Sequence, residues 1–120
     1  MSGFLYQVAS SGSESSYLVL SLSISQSGTS APTAVELENT LNESYSFSYD
    51  GVGAYFINFV NPIFQPGTYA IFGNDYYEPV AGLGIVIIPG GLSAVTIRTF
   101  SDGASQNNIL NNTFLEIRVY

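Results

Sequence analysis

Leu18, Leu20, Leu22 and Ile24 alternate with Val19, Ser21 and Ser23. A side chain every second position on one face is the signature of a β-strand, and no helix can gather these residues on one side. The pattern predicts a strand whose leucine face points into a core and whose serine face meets water or a neighbouring subunit. The same period returns twice. Tyr45, Phe47 and Tyr49 alternate with Ser44, Ser46 and Ser48, while Leu115, Ile117 and Val119 alternate with Phe114, Glu116, Arg118 and Tyr120. A strand that reaches Tyr120 is expected to be central or to lie between subunits.

Turn chemistry separates these runs. Asp50-Gly51, with Gly53 two residues on, stands between residues 44–50 and residues 54–60, and Asp-Gly between alternating runs predicts an antiparallel hairpin. Further strands are expected at residues 4–8, 68–72, 84–88 and 93–100, bounded by Gly, Pro, Asn and Ser clusters. Residues 34–39 follow the Gly28…Pro32 loop. Thr33 with Glu36 imitates a helix capping box, but the segment is short and its surroundings are strand, so extended structure is expected. Seven or eight strands at regular spacing, with no sustained helical period, predict one all-β domain over residues 1–120. Its expected form is an antiparallel two-sheet sandwich of jelly-roll-like type.

Composition decides what such a sandwich can meet. Only 9% of residues are charged, the net charge is -7, and the only cations are Arg98 and Arg118. Solvated domains carry about 25% charged residues, so a 46% apolar chain this poor in charge suggests a surface partly hidden from water. A homo-oligomer is the common way to hide one; a neutral, Ser-rich monomer is the alternative. Two arginines cannot form a phosphate-binding or anionic-lipid patch, so nucleic acid and membrane surfaces are not expected partners. The most apolar run, residues 80–88, is broken by Gly82 and Gly84, so no membrane insertion is expected. Residues 1–8 have no basic n-region, so no signal peptide is expected either.

Missing residue types exclude whole chemistries. Without His or Cys there is no Ser-His-Asp or Cys-His nucleophile and no imidazole or thiolate metal site. Without Lys there is no Schiff base and no phosphate loop of Walker type. Gly82-x-Gly84 is too short for a dinucleotide fingerprint and suits close backbone packing. A carboxylate pair could still hydrolyse a glycosidic bond. The candidates are Asp75 with Glu78, or Glu36 with Glu38, whose spacing places both on one face of a strand. No enzymatic activity and no cofactor are expected.

Two candidate sites remain. Asn74, Asp75, Tyr76, Tyr77 and Glu78 form a loop with two amphipathic rings beside acids and an amide, a composition suited to sugar or protein contact. Asp75 and Glu78 with loop carbonyls also permit a calcium reading. The second candidate is an oligomer interface on the last strand, built from Phe114, Glu116, Arg118 and Tyr120. Glu116 and Arg118 share a face there, and Arg98 on a nearby strand could extend them into an ion-pair cluster.

The segment Gln26-Ser27-Gly28-Thr29-Ser30-Ala31-Pro32, continuing to Leu37-Glu38-Asn39-Thr40-Leu41, resembles a motif of short proteins from bacteriophages and prophages of Bacteroidetes and marine bacteria. In these a strand ends in Gln-Ser/Thr-Gly-Thr, then Ala-Pro, then Leu-Glu-Asn-Thr-Leu. A Gly-x-Tyr hairpin strand follows, as in Gly53-Ala54-Tyr55. The resemblance covers the first half of the chain, and Asn42-Glu43 replaces the usual Gly-Gly. It implies a virion protein: a capsid-surface decoration, spike or fibre-head module, with other virion proteins as partners. By fold analogy to the trimeric heads of tumour-necrosis-factor and C1q-like domains, it implies a trimer. A carbohydrate-binding or receptor-binding module, meeting a host-surface glycan, is the alternative function. The resemblance carries no catalytic residue.

Overall fold

The computed structural model describes residues 17–73, 76–78 and 82–120. Every regular element among them is a strand: β1 Leu18–Ser25, β2 Thr33–Asn39, β3 Tyr45–Gly51, β4 Ala54–Phe59, β5 Tyr69–Gly73, β6 Tyr76–Glu78, β7 Leu83–Pro89, β8 Ala94–Ser101, β9 Ala104–Ser105 and β10 Thr113–Val119. No helix of the described residues is long and apolar enough to cross a membrane. The expected strand at residues 4–8 lies outside the described residues.

The strands form two antiparallel sheets. The four-stranded sheet has the order β2-β1-β10-β5, and the six-stranded sheet the order β3-β4-β8-β7-β6 with β9 on β8. The chain crosses between sheets after β2, β4, β5 and β9. The first and last of these strands therefore lie side by side, with Leu18 opposite Val119 and Leu22 opposite Leu115. β10 is an interior strand, flanked by β1 and β5, in accord with its aliphatic face.

The core is the period-two pattern made solid. Leu20, Leu22 and Ile24 of β1 and Leu115 and Ile117 of β10 face Tyr55, Ile57 and Phe59 of β4, Val95 and Ile97 of β8, and Ile85 and Ile87 of β7. All are buried. Tyr45, Phe47 and Tyr49 of β3 close one side of this core as partly buried rings. Each fully buried aliphatic or aromatic side chain contributes about 1.5–3 kcal/mol relative to exposure, so this layer dominates the stability.

The β3–β4 hairpin pairs as expected, with Tyr49 opposite Tyr55, but its turn sits later than Asp50-Gly51. Gly51 pairs with Ala54, so Val52 and Gly53 form the tip and Asp50 occupies the register shift. Gly53 suits the tip for two reasons. Its φ is 66°, and a Cβ there would lie 2.2 Å from the Thr99 carbonyl oxygen. Gly84 has a different role: the Phe100 ring lies over it, and a Cβ would come within 2.2 Å of that ring.

A second irregularity changes the reading of two acids. Ser21 pairs with Glu38 and Leu22 with Glu36, so Leu37 is an extra, bulged residue. Cross-strand partners share a face. Glu38 therefore stands on the outer face with Ser21, and Glu36 on the inner face with Leu22. The expectation that Glu36 and Glu38 share a face fails because the bulge inverts the alternation between them.

Candidate interaction surface

The outer face of the four-stranded sheet is organised in rungs. One rung runs Glu38, Ser21, Glu116, Phe72; the next runs Val19, Arg118, Ala70; and on the other side Val35, Ser23 and Phe114 align. Phe114, Glu116, Arg118 and Tyr120, expected to share a surface, are brought together here, and Phe72 joins them from β5. Phe72 is 46% exposed, Phe114 36% and Tyr120 55%.

Arg118 ties the patch together. Its Nε donates to Glu116 Oε2 at 2.6 Å. Its guanidinium carbon lies 4.7 Å from the ring centroids of both Tyr17 and Phe72, within cation–π range. Tyr17 in turn packs on Tyr120 at a centroid distance of 5.4 Å. The other Glu116 oxygen accepts from the Ser21 hydroxyl at 2.8 Å. The bond from Arg118 holds the Glu116 carboxyl below its usual range, and the Ser21 hydroxyl adds to this against the opposing effect of burial. The same carboxylate pushes the Arg118 guanidinium up. The centre of the patch is thus aromatic and hydrogen-bonded, with the charges of Glu116 and Arg118 neutralising each other.

Two expectations are corrected here. The serine face of β1 was expected to meet water or a neighbour, but Ser21 is buried, like Val19, and its hydroxyl is used by Glu116. Arg98 does not extend the Glu116–Arg118 pair, because β8 belongs to the other sheet and Arg98 lies on that sheet's outer face. Beside the patch a groove of about 450 Å³ is lined by Tyr17, Leu18, Val19, Glu38, Thr40, Glu116 and Arg118.

The other candidate site reads differently. Asn74 and Asp75 lie outside the described residues. Tyr76, Tyr77 and Glu78 form edge strand β6, not a loop, opposite Ile85, Gly84 and Leu83. Among the described residues no group of three acids converges as a metal site would require. The other acids with partners serve the framework. The Tyr45 hydroxyl donates to Glu36, bridging the edges of the two sheets, and Asn61 donates to Glu43. Burial and the adjoining Glu36 push the Tyr45 phenol up to about 12.

The Gln26–Pro32 segment is anchored by one buried amide. Gln26 Nε2 donates to the carbonyls of Gly28 (2.9 Å) and Ser30 (3.0 Å). Its Oε1 accepts from the Asn108 N–H (2.9 Å) and the Tyr55 hydroxyl (2.8 Å). Asn107 carries the network on, accepting from Gly53 N–H at Oδ1 and donating to the Tyr49 hydroxyl. Burial raises the Tyr55 phenol above its ordinary value. Sequence reasoning missed this role, although Gln26 continues the inward series Leu20, Leu22, Ile24 in phase. An amide at an inward position must find partners.

Compared with protein-family models, curated proteins and solved structures, the chain finds no match.

Proposed function

We propose that this chain is a structural module of a bacteriophage virion, a surface decoration, spike or fibre head that acts by self-association and display rather than by catalysis. The observation that supports this reading is the outer face of the β2-β1-β10-β5 sheet. It combines three exposed rings, Phe72, Phe114 and Tyr120, with an ion pair neutralised within the chain. Interface cores are enriched in aromatic residues and arginine and depleted in unpaired charge, and the β10–β5 side of this face has that composition, with Glu38 standing at the β2 edge. The virion setting rests on the resemblance of Gln26–Pro32 and Leu37–Leu41 to phage and prophage proteins, and the trimer on the fold analogy. Neighbours in the assembly are copies of the chain and other virion proteins.

The reading predicts that Phe114→Asp dissociates the oligomer while leaving far-UV circular dichroism unchanged. An intact oligomer in that variant would place the interface elsewhere. Genes flanking the coding sequence test the setting: capsid or tail genes agree with it, and polysaccharide-utilisation genes contradict it.

A second reading, glycan or receptor recognition, is favoured by the groove beside Tyr17, where a ring borders Glu38, Thr40, Glu116 and Arg118. Rings with adjacent hydrogen-bonding groups suit a sugar. Replacing Tyr17 with Ala would then abolish binding on a glycan array, and an array with no signal for the native chain would dismiss this reading.

A further inference from the structure

The chain has only two cations, and the structure treats them differently. Arg118 is neutralised by Glu116 within the patch. Arg98 is exposed, and among the described residues it has no acidic partner. It sits on the outer face of the six-stranded sheet in the rung Ala54, Arg98, Val86, beside the rung Phe56, Thr96, Ile88. Val86 is 38% exposed and Ile88 48%. A lone cation on a half-apolar sheet face of an acidic protein is complementary to a lone acid on a face of the same kind.

The chain supplies one. Glu36, Glu43 and Glu116 are hydrogen-bonded within the fold. Glu38, Asp50 and Asp102 have no such side-chain partner among the described residues; Asp50 occupies the register shift at the end of β3 and Asp102 a turn, so of these three Glu38 is the one with a ladder partner, Ser21, on the outer face of a sheet. It shares the rung Glu38, Ser21, Glu116, Phe72 with the exposed aromatic patch.

We propose that Arg98 of one copy pairs with Glu38 of a second copy, so that the outer face of the six-stranded sheet docks on the outer face of the four-stranded sheet. This deepens the self-association proposed above, and rests on it, by naming the surface that the aromatic patch meets. Val86 and Ile88 bring the aliphatic surface that packs against Phe72 and Phe114. The contact is heterologous, the kind from which a cyclic trimer is built, and it leaves no cation unpaired. A two-fold contact of the aromatic patch with itself would leave Arg98 without an acid among the described residues.

The test is a charge exchange read by light scattering and sedimentation velocity, with circular dichroism confirming the fold of each variant. Arg98→Glu and Glu38→Arg each place like charges together and should weaken association by about tenfold or more. The double variant, Arg98→Glu with Glu38→Arg, should recover the native mass. Masses above a trimer that respond in the same way indicate the same contact running open rather than closing. Single variants that keep the native mass, or that dissociate without recovery in the double variant, overturn this pairing. If Phe114→Asp still dissociates the chain in either case, self-association through the aromatic patch stands without it. A native chain that is monomeric overturns both.

Discussion

Replacing Gln26 by Ala measures how much one buried amide holds. The substitution removes both donors from the Gly28 and Ser30 carbonyls and the acceptor shared by Asn108 N–H and the Tyr55 hydroxyl. A net hydrogen bond is worth about 1 kcal/mol, and a buried polar group left unsatisfied costs about 1–3 kcal/mol. The four losses are unequal. Gly28 and Ser30 are exposed, so their carbonyls recover water at little cost. The Tyr55 hydroxyl keeps Asn107 Oδ1 at 2.9 Å. Asn108 is exposed as well, so the space vacated by the buried side chain carries most of the penalty and the net loss of the bonds the rest, giving about 2–3 kcal/mol in all. With a urea m-value of about 1–1.5 kcal/mol/M for a domain of this size, the unfolding midpoint should fall by about 2 M. Tyr55→Phe removes only the hydroxyl and should cost about 1 kcal/mol. The double variant should cost less than the sum, because both single changes break one shared bond. A Gln26→Ala midpoint within 0.3 M of the native value would refute the claim that this amide fixes the loop.

Three further outcomes follow from the same geometry. The Tyr45 phenol should titrate at about 12 by ultraviolet difference spectroscopy, and Glu36→Gln should bring it down towards 10; no change would detach Tyr45 from Glu36. Because the folded protein holds the Glu116 carboxyl below its unfolded value, its contribution is present above the ordinary carboxylate range and is lost as pH falls through the folded value. Glu116→Gln should therefore flatten the loss of urea stability between pH 5 and pH 3, the ranges being about those of a carboxylate, and an unchanged slope would contradict the pairing. Gly53→Ala should destabilise by about 2 kcal/mol or more, since the added Cβ meets Thr99 backbone at a φ of 66°; a neutral result in thermal unfolding would count against the tight turn.

The strands were legible because a sheet buried on one side writes its period into the chain. Leu18–Ile24 and Leu115–Val119 needed no partner to be recognised. Beyond the β3–β4 hairpin, which its turn residues marked, which strands pair was not legible, since period two is the same for every neighbour. That is why Arg98 was placed near β10 when it lies on the opposite sheet. The bulge at Leu37 was invisible because one extra residue leaves composition unchanged while inverting the facing of Glu36 and Glu38. β6 was hidden by its surroundings: Tyr76–Glu78 stands between Gly73-Asn74 and Pro79, which read as loop, and its pairing to β7 is decided by tertiary context. The last-strand patch was legible in four residues, whereas Phe72 and Tyr17 joined it only through the fold. Gln26 was readable as a position and not as a network, because its partners at Tyr55, Asn107 and Asn108 come from distant parts of the chain.

The account turns on the outer face of the β2-β1-β10-β5 sheet being covered by another copy of the protein. Sedimentation equilibrium of the native chain at high micromolar concentration tests this most directly. The account predicts a mass that is a multiple of the 12.8 kDa chain, with three copies favoured by the fold analogy. A single species of 12.8 kDa across the concentration range would contradict it.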